Sequence, residues 1–206
     1  MNINSRFVRA AALALTITSS ITMQQAWAGD TSETRAQSNQ ILQRAEAIID
    51  HATTQNPINS NEVRQAIDLL HRAIRMDPEN DAAYVDLGFC YSELRDAPTA
   101  VDMYNQAVKL NPSAANYKEL ADIYLRAQDG ENALMAANAG LLKEPRSAAL
   151  YNAKGMALSD LERFDEAAAA FRTALQIDPN FRVARANLAA VTGRSVSSVR
   201  APSRTN

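Results

Sequence analysis

Tyr84-Val85-Asp86-Leu87-Gly88-Phe89-Cys90-Tyr91, followed by Ala100-x3-Tyr104-x2-Ala107 and Pro112, decides the fold, because its spacing returns twice further along the chain. The second copy reads Tyr117-x2-Leu120-Ala121-x2-Tyr124, then Ala133-x3-Ala137-x2-Gly140 and Pro145. The third reads Tyr151-x2-Lys154-Gly155-x2-Leu158, then Ala167-x3-Phe171-x2-Ala174 and Pro179. Upstream, Ala66-x3-Leu70-x2-Ala73 and Pro78 supply the second half of another copy. Its first half departs from the pattern, with Thr54 and Pro57 where glycine and tyrosine are expected. A repeat of this length, found before any other feature is weighed, sets the architecture.

The prolines Pro78, Pro112, Pro145 and Pro179 stand 34, 33 and 34 residues apart, each at the end of an apolar helical stretch. Proline cannot continue the helical hydrogen-bond ladder and drives the residue before it out of helical geometry. Cap-competent residues follow at Asn80, Ser113, Ser147 and Asn180, and such side chains accept hydrogen bonds from the free N–H groups of a new helix. Stop and restart signals therefore recur together. Small residues such as Gly88, Ala100, Ala121, Gly155 and Ala167 allow close approach within a helix pair. Large ones such as Tyr84, Leu87, Tyr104, Phe164 and Phe171 fill the space around it. One pair cannot bury its apolar face alone, so stacking of pairs must supply the core.

The pattern of large aromatic, Leu-Gly, Tyr, then Ala, aromatic and Pro resembles the tetratricopeptide repeat. The resemblance implies an all-α fold, a right-handed α-solenoid of antiparallel helix pairs closed by a C-terminal capping helix. The units expected are a divergent opening unit over 36–79, repeats over 80–113, 114–146 and 147–180, and a capping helix over 181–193. In the opening unit one helix is expected from about Ala36 to Thr53, with an irregular turn over 55–60. In the capping helix Val183, Ala186, Leu188 and Ala189 are the apolar residues, Arg182, Arg185 and Asn187 face solvent, and Gly193 closes the helix. Residues 29–35 and the polar 194–206 are expected to be disordered.

Ahead of the repeats, Arg6 and Arg9 precede an uncharged stretch from Ala10 to Gly29 that ends in Ala26-Trp27-Ala28. A basic flank, a short apolar run and a small-x-small site describe a secretory signal removed after Ala28. Thr16, Thr18, Ser19, Ser20, Thr22, Gln24 and Gln25 interrupt the run, whereas a membrane span needs about 20 predominantly apolar residues. The expectation is an exported chain, periplasmic or secreted, without a stable membrane span after cleavage. No cysteine follows the site to carry a lipid.

Composition narrows function by exclusion. The 206 residues carry 47% hydrophobic and 21% charged residues and a net charge of −2, which gives no global attraction for nucleic acid. One cysteine, Cys90, excludes an intrachain disulfide framework, and its counterparts Ile123 and Ala157 suggest a small buried side chain. The two histidines, His51 and His71, lack partners at metal-ligand spacing, so no zinc pattern forms. They read as exposed or capping residues. No Gly-rich phosphate loop or Gly-x-Ser-x-Gly elbow is present. No cofactor and no enzymatic activity are expected.

Function is then sought in the concave surface that the resemblance implies for the first helices of the pairs. Its expected lining is Val85, Phe89 and Ser92, then Lys118, Asp122 and Leu125, then Asn152, Met156 and Ser159, with Ala186 and Ala190 extending it. Phe89 and Met156 stand out, since helix packing in the repeat does not require them, and an aromatic and a thioether suit an apolar peptide. Local packing against the neighbouring repeat is the alternative reading. Lys118 and Asp122, four apart on a helix, read as an ordinary surface ion pair. Some family members clamp a C-terminal carboxylate with Lys, Arg and Asn on successive first helices. Lys118 and Asn152 fit that arrangement, but Val85, Phe89 and Asp122 break it. The resulting expectation is an exported adaptor that binds a protein or peptide partner in assembly of an envelope complex, such as pilus, secretion or cell-wall machinery. Pilus-assembly accessory proteins built of these repeats look similar in layout, though many carry a lipid-modified cysteine that this chain lacks. Self-assembly into a homo-oligomer and a metal-binding or enzymatic periplasmic role are the rival readings.

Overall fold

The computed structural model describes residues 31–199, and side chains as far as Gly193. The proposed signal segment, residues 29–30 of the leader and residues 200–206 of the tail lie outside them. The described residues form helices only. They are α1 (31–53), α2 (Ser60–Met76), α3 (Asp81–Glu93), α4 (Ala97–Leu110), α5 (Ala114–Arg126), α6 (Gly130–Lys143), α7 (Ala148–Asp160), α8 (Phe164–Ile177) and α9 (Arg182–Val199).

The repeated prolines act as the sequence dictates. The helices α2, α4, α6 and α8 end at Met76, Leu110, Lys143 and Ile177, two residues before Pro78, Pro112, Pro145 and Pro179. The residue between, Asp77, Asn111, Glu144 or Asp178, has φ between −135° and −127° and ψ between 86° and 96°. That is the extended geometry a following proline imposes. The restart signals are less uniform. Asn80 accepts from the Ala83 N–H and Ser113 from the Asn116 N–H, but Ser147 at the same place makes no side-chain cap bond. Asn180 caps nothing, because α9 begins only at Arg182.

The turn inside each pair is a separate device that repeats three times. Arg95, Gln128 and Glu162 have φ of 62°, 60° and 60°. Around them the Arg95 and Asp96 N–H groups reach back to the Ser92 and Tyr91 carbonyls at 3.1 and 2.9 Å. Gln128 and Asp129 do the same onto Leu125 and Tyr124, and Glu162 and Arg163 onto Ser159 and Leu158. This closes the last carbonyls of one helix. Asp96 and Asp129 then open the next helix, accepting from the Thr99 and Asn132 N–H groups.

Within a pair the small residues let the backbones approach. A Cβ at Gly88 would lie 2.8 Å from the Tyr104 ring, and one at Gly155 only 2.6 Å from the Phe171 ring. Buried residues form three successive clusters. The first joins α1, α2 and α3 through Ile41, Ala45, Val63, Leu70 and Leu87. The second spans α4 to α7 through Tyr104, Leu120 and Ile123. The third joins α7, α8 and α9 through Leu158, Phe171 and Val191.

The stack is curved, and the curvature follows from which helices meet. Successive odd-numbered helices, α3 with α5, α5 with α7 and α7 with α9, touch one another. The even-numbered α4, α6 and α8 contact only odd-numbered neighbours. Inner members that touch and outer members that splay make the odd-numbered face the concave one.

Both ends differ from the sequence expectation. The helix α1 is already formed at residue 31, ahead of Ala36, and is tied down by Arg35, whose Nε lies 3.2 Å from Asp77. Ser38, fully buried, donates to the Ala73 carbonyl at 2.9 Å. At the other end α9 continues through Gly193 to Val199. A glycine inside a helix costs about 1 kcal/mol but does not stop it, and the first proline beyond it is Pro202. The apolar face of α9 also differs. Ala184 and Val191 are buried and Leu188 packs beside them, whereas Val183 is 53% exposed and Ala186 and Ala189 lie open.

Candidate functional site

The concave wall is built from α3, α5, α7 and α9. Four of the nine expected lining residues come together around one cavity. Asp122 and Leu125 of α5 and Asn152 and Met156 of α7, with Arg126, enclose about 350 Å³. Met156 also borders a second hollow of about 150 Å³, where Ser159 and Asp160 face Asn187, Ala190 and Val191 of α9. Met156, 36% exposed, is the large apolar side chain of α7 that stays open to this wall.

The remaining expected residues divide. Phe89 is half-buried and packs against the first apolar cluster, and Val85 packs against the second. The apolar surface beside Phe89 is supplied by residues of α1, α2 and α3. Asn152 is 8% exposed and committed to structure. Its Oδ1 accepts from Asn187 of α9 at 3.0 Å, and its Nδ2 lies 3.4 Å from the Met156 sulfur. Asn187, expected in solvent, thus ties the capping helix to α7. Ser92 accepts a hydrogen bond from Arg126. Lys118 pairs with Asp122 at 2.9 Å and with Glu119 at 3.0 Å, partly exposed contacts worth a few tenths of a kcal/mol.

Three charged residues not expected here shape the electrostatics. Asp86 of α3 is half-buried, and its Oδ2 is enclosed with no hydrogen-bond partner. Burial, with Glu46 and Asp50 of α1 adding like charge, pushes its carboxyl up to about 7. Burial and the neighbouring Asp86 push the Cys90 thiol up to about 12, which fits a buried, inert side chain. Burial also raises the Tyr104 hydroxyl, with Glu119, Asp122 and Asp86 acting in the same direction. One sequence signal for Asp86 existed: it is the acid inside the otherwise apolar run Tyr84–Tyr91.

The histidines are placed outside this wall. His51 Nδ1 lies 2.8 Å from Glu62, and His71 Nε2 lies 3.2 Å from the Tyr91 hydroxyl in an edge-on ring contact. Among the described residues no three His, Cys, Asp or Glu side chains gather as a metal site. No helix there is long and apolar enough to cross a membrane.

Two family profiles described as Tetratricopeptide repeat match the chain, over residues 58–121 and 148–181. The chain is a tetratricopeptide-repeat protein. Solved structures place it in the same fold. The TPR domain of Arabidopsis OM64 shares 26% identity at a TM-score of 0.52, covering 56% of this chain and 96% of that one. MamA from Desulfovibrio magneticus RS-1, residues 41 to the end, shares 18% at a TM-score of 0.63, covering 81% and 86%. The second TPR domain of human RPAP3, in complex with the HSP70 peptide SGPTIEEVD, shares 21% at a TM-score of 0.51, covering 53% and 92%. Curated protein sequences give no match. In this tetratricopeptide-repeat chain the profile over 58–121 begins just before α2. The divergent helix α1 therefore lies ahead of the matched segment.

Proposed function

We propose that this protein is an exported adaptor that holds a segment of a partner polypeptide in the trough lined by α3, α5, α7 and α9. The supporting observation is the open cavity between α5 and α7, where Leu125 and Met156 offer apolar surface that no other described helix covers. A folded repeat stack already buries the aromatics its packing needs, as Tyr104 and Phe171 show. An uncovered thioether on the inner wall is surplus to stability and suits adaptable contact with an apolar side chain. The RPAP3 domain, which shares the fold, is seen with a peptide bound, and the same mode of use is proposed here. Export is supported by the Arg6–Ala28 pattern, and assembly of an envelope complex is the setting that pattern suggests. Among the described residues, no set on this wall supplies a nucleophile with an adjacent base, so the reading is one of binding without chemistry.

The test is site-specific photocrosslinking in intact cells. A photoreactive residue at Met156 should yield a discrete protein adduct that is lost on adding Leu125→Asp, while the same residue at Leu142, 84% exposed on the outer face of α6, should not. Equal adducts from both positions would refute the trough assignment. A second reading, self-assembly, is favoured by that outer face, where Met135 at 65% and Leu142 at 84% lie exposed two turns apart. Sedimentation at several concentrations separates the two, since an adaptor that does not self-assemble stays monomeric throughout.

A further inference from the structure

We infer that two copies of the chain join back to back through α6, antiparallel about a two-fold axis at Asn138, with Met135 of each copy against Leu142 of the other. The contact lies on the outer face, away from the trough, so it goes beyond the adaptor reading and leaves both troughs open. It rests on the self-assembly reading, to which it gives a symmetry and a register.

The even-numbered helices, laid over one another, carry the inference. Ala66, Ala100, Ala133 and Ala167 are fully buried and mark one register in α2, α4, α6 and α8. Two and nine residues further on, each helix presents exposed positions on its outer face. There α2 has Asp68 and Arg75, α4 has Asp102 and Lys109, and α8 has Ala169 and Gln176. Among these four helices α6 is the one with large apolar side chains at both places, Met135 at 65% and Leu142 at 84% exposure. Packing within the chain does not require them, since its neighbours fold with polar or small residues in the same register. Leu134 and Leu141, half-buried, flank the ridge.

The ridge is complementary to itself, which is what a two-fold contact demands. Met135, Asn138 and Leu142 stand three and four residues apart, the spacing of a single stripe along a helix. Turning a second copy about Asn138 sets each Met135 beside the other copy's Leu142 and brings the two carboxamides face to face. A carboxamide both donates and accepts, so the pair closes on itself and fixes the register, as a lone Asn does in a helical seam. The helix ends agree. Glu131 lies in the first turn of α6 and Lys143 in the last, with Arg146 beyond it and Glu144 between. Among the described residues Glu131, Lys143 and Arg146 form no ion pair. Antiparallel pairing lays the acidic end of each α6 beside the basic end of the other and opposes the two macrodipoles; a parallel pairing would bring like ends together. One helix pair makes a small interface, below about 1,200 Å² in total, so the dimer is reversible. With both troughs facing away from the axis, it holds two partner segments at once and gains by effective concentration.

The test is sedimentation of the full chain from micromolar to millimolar concentration. The expected result is a monomer–dimer equilibrium without larger species, because a two-fold contact is closed. Met135→Asp/Leu142→Lys gives α6 the residue types that α4 carries in the same register and should weaken the dimer about tenfold or more, the loss expected when the anchors of an interface are removed. Both positions are exposed, and circular dichroism checks the fold. Under mild oxidation Asn138→Cys should form an intermolecular disulfide, while Glu131→Cys should not, its two copies standing about 20 Å apart along the antiparallel helices. Cys90 is buried and does not compete. A monomer at every concentration would overturn the inference and the self-assembly reading together. A dimer indifferent to the α6 substitutions, one lost instead in Met156→Asp, or equal crosslinking from Glu131→Cys and Asn138→Cys would overturn the two-fold contact and leave self-assembly standing. The photoadduct from Met156 should persist in the α6 variant, and its loss would overturn the separation of this contact from the trough.

Discussion

Replacing Asp86 by asparagine tests the half-buried carboxyl of α3 directly, because it keeps the shape and removes the charge. The folded-state carboxyl is pushed from 3.8 to about 7, first by burial and then by Glu46 and Asp50. A carboxyl raised in the folded state favours folding most when it is protonated. That contribution is complete below its ordinary value and is lost as pH rises towards about 7. A tenfold change in proton affinity is worth about 1.4 kcal/mol, so the ionised group destabilises the fold by at most about 4 kcal/mol. Partial solvent access lowers this to about 2 kcal/mol. The asparagine side chain has no charge to desolvate, so Asp86→Asn should gain most where the wild type is ionised. Urea unfolding of both proteins at about pH 8 and about pH 5 measures the effect. The expected stability advantage of the variant is larger at the higher pH by about 1–2 kcal/mol, following the same linkage. Effects of the new amide on hydrogen bonding are common to both pH values and cancel in that difference. An identical offset at the two pH values, or a wild type that gains on the variant as pH rises, would refute a desolvated carboxyl at this position.

Three further outcomes follow from the packing. Gln128→Gly, at φ 60°, should raise stability by about 0.5–1 kcal/mol, the strain of a left-handed side chain outweighing glycine's entropy; thermal unfolding reads it, and a lower midpoint would contradict the strain. Gly155→Ala places a methyl 2.6 Å from the Phe171 ring and should cost about 1–3 kcal/mol as an overpacked contact; an unchanged urea midpoint would show that α7 and α8 are not held at this distance. Cys90, fully buried with its thiol pushed up to about 12, should resist iodoacetamide at neutral pH in the folded protein and react promptly in urea; mass spectrometry showing rapid native labelling would count against the burial.

The helical pairs were legible because their signals are covalent. Pro78, Pro112, Pro145 and Pro179 each removed an N–H and stiffened the residue before it, and the helices ended where that chemistry requires. Gly88 and Gly155 announced close approach by having no side chain. The turns within pairs carry no such mark. Arg95, Gln128 and Glu162 adopt left-handed geometry with ordinary side chains, held there by the hydrogen bonds of both flanking helices. The ends of the stack were hidden for a related reason, since Arg35 and Ser38 of α1 are secured by contacts with residues more than thirty positions away. At the candidate site, register along the helices identified the wall but not the fate of each side chain. Phe89 and Asn152 stand at positions expected to line the wall, yet tertiary partners half-bury the first and engage the second. Asp86 was hidden in an apolar octapeptide, and its raised carboxyl comes first from burial and then from Glu46 and Asp50, which the sequence holds far away.

The helices meet along their inner edge and part along the outer one, so the molecule resembles a row of books clasped at the spine. Its easiest deformation is a fanning of the outer rank, which leaves the clasped seam in register. A polypeptide lying along the seam would therefore meet a surface that keeps its shape while the outer rank moves.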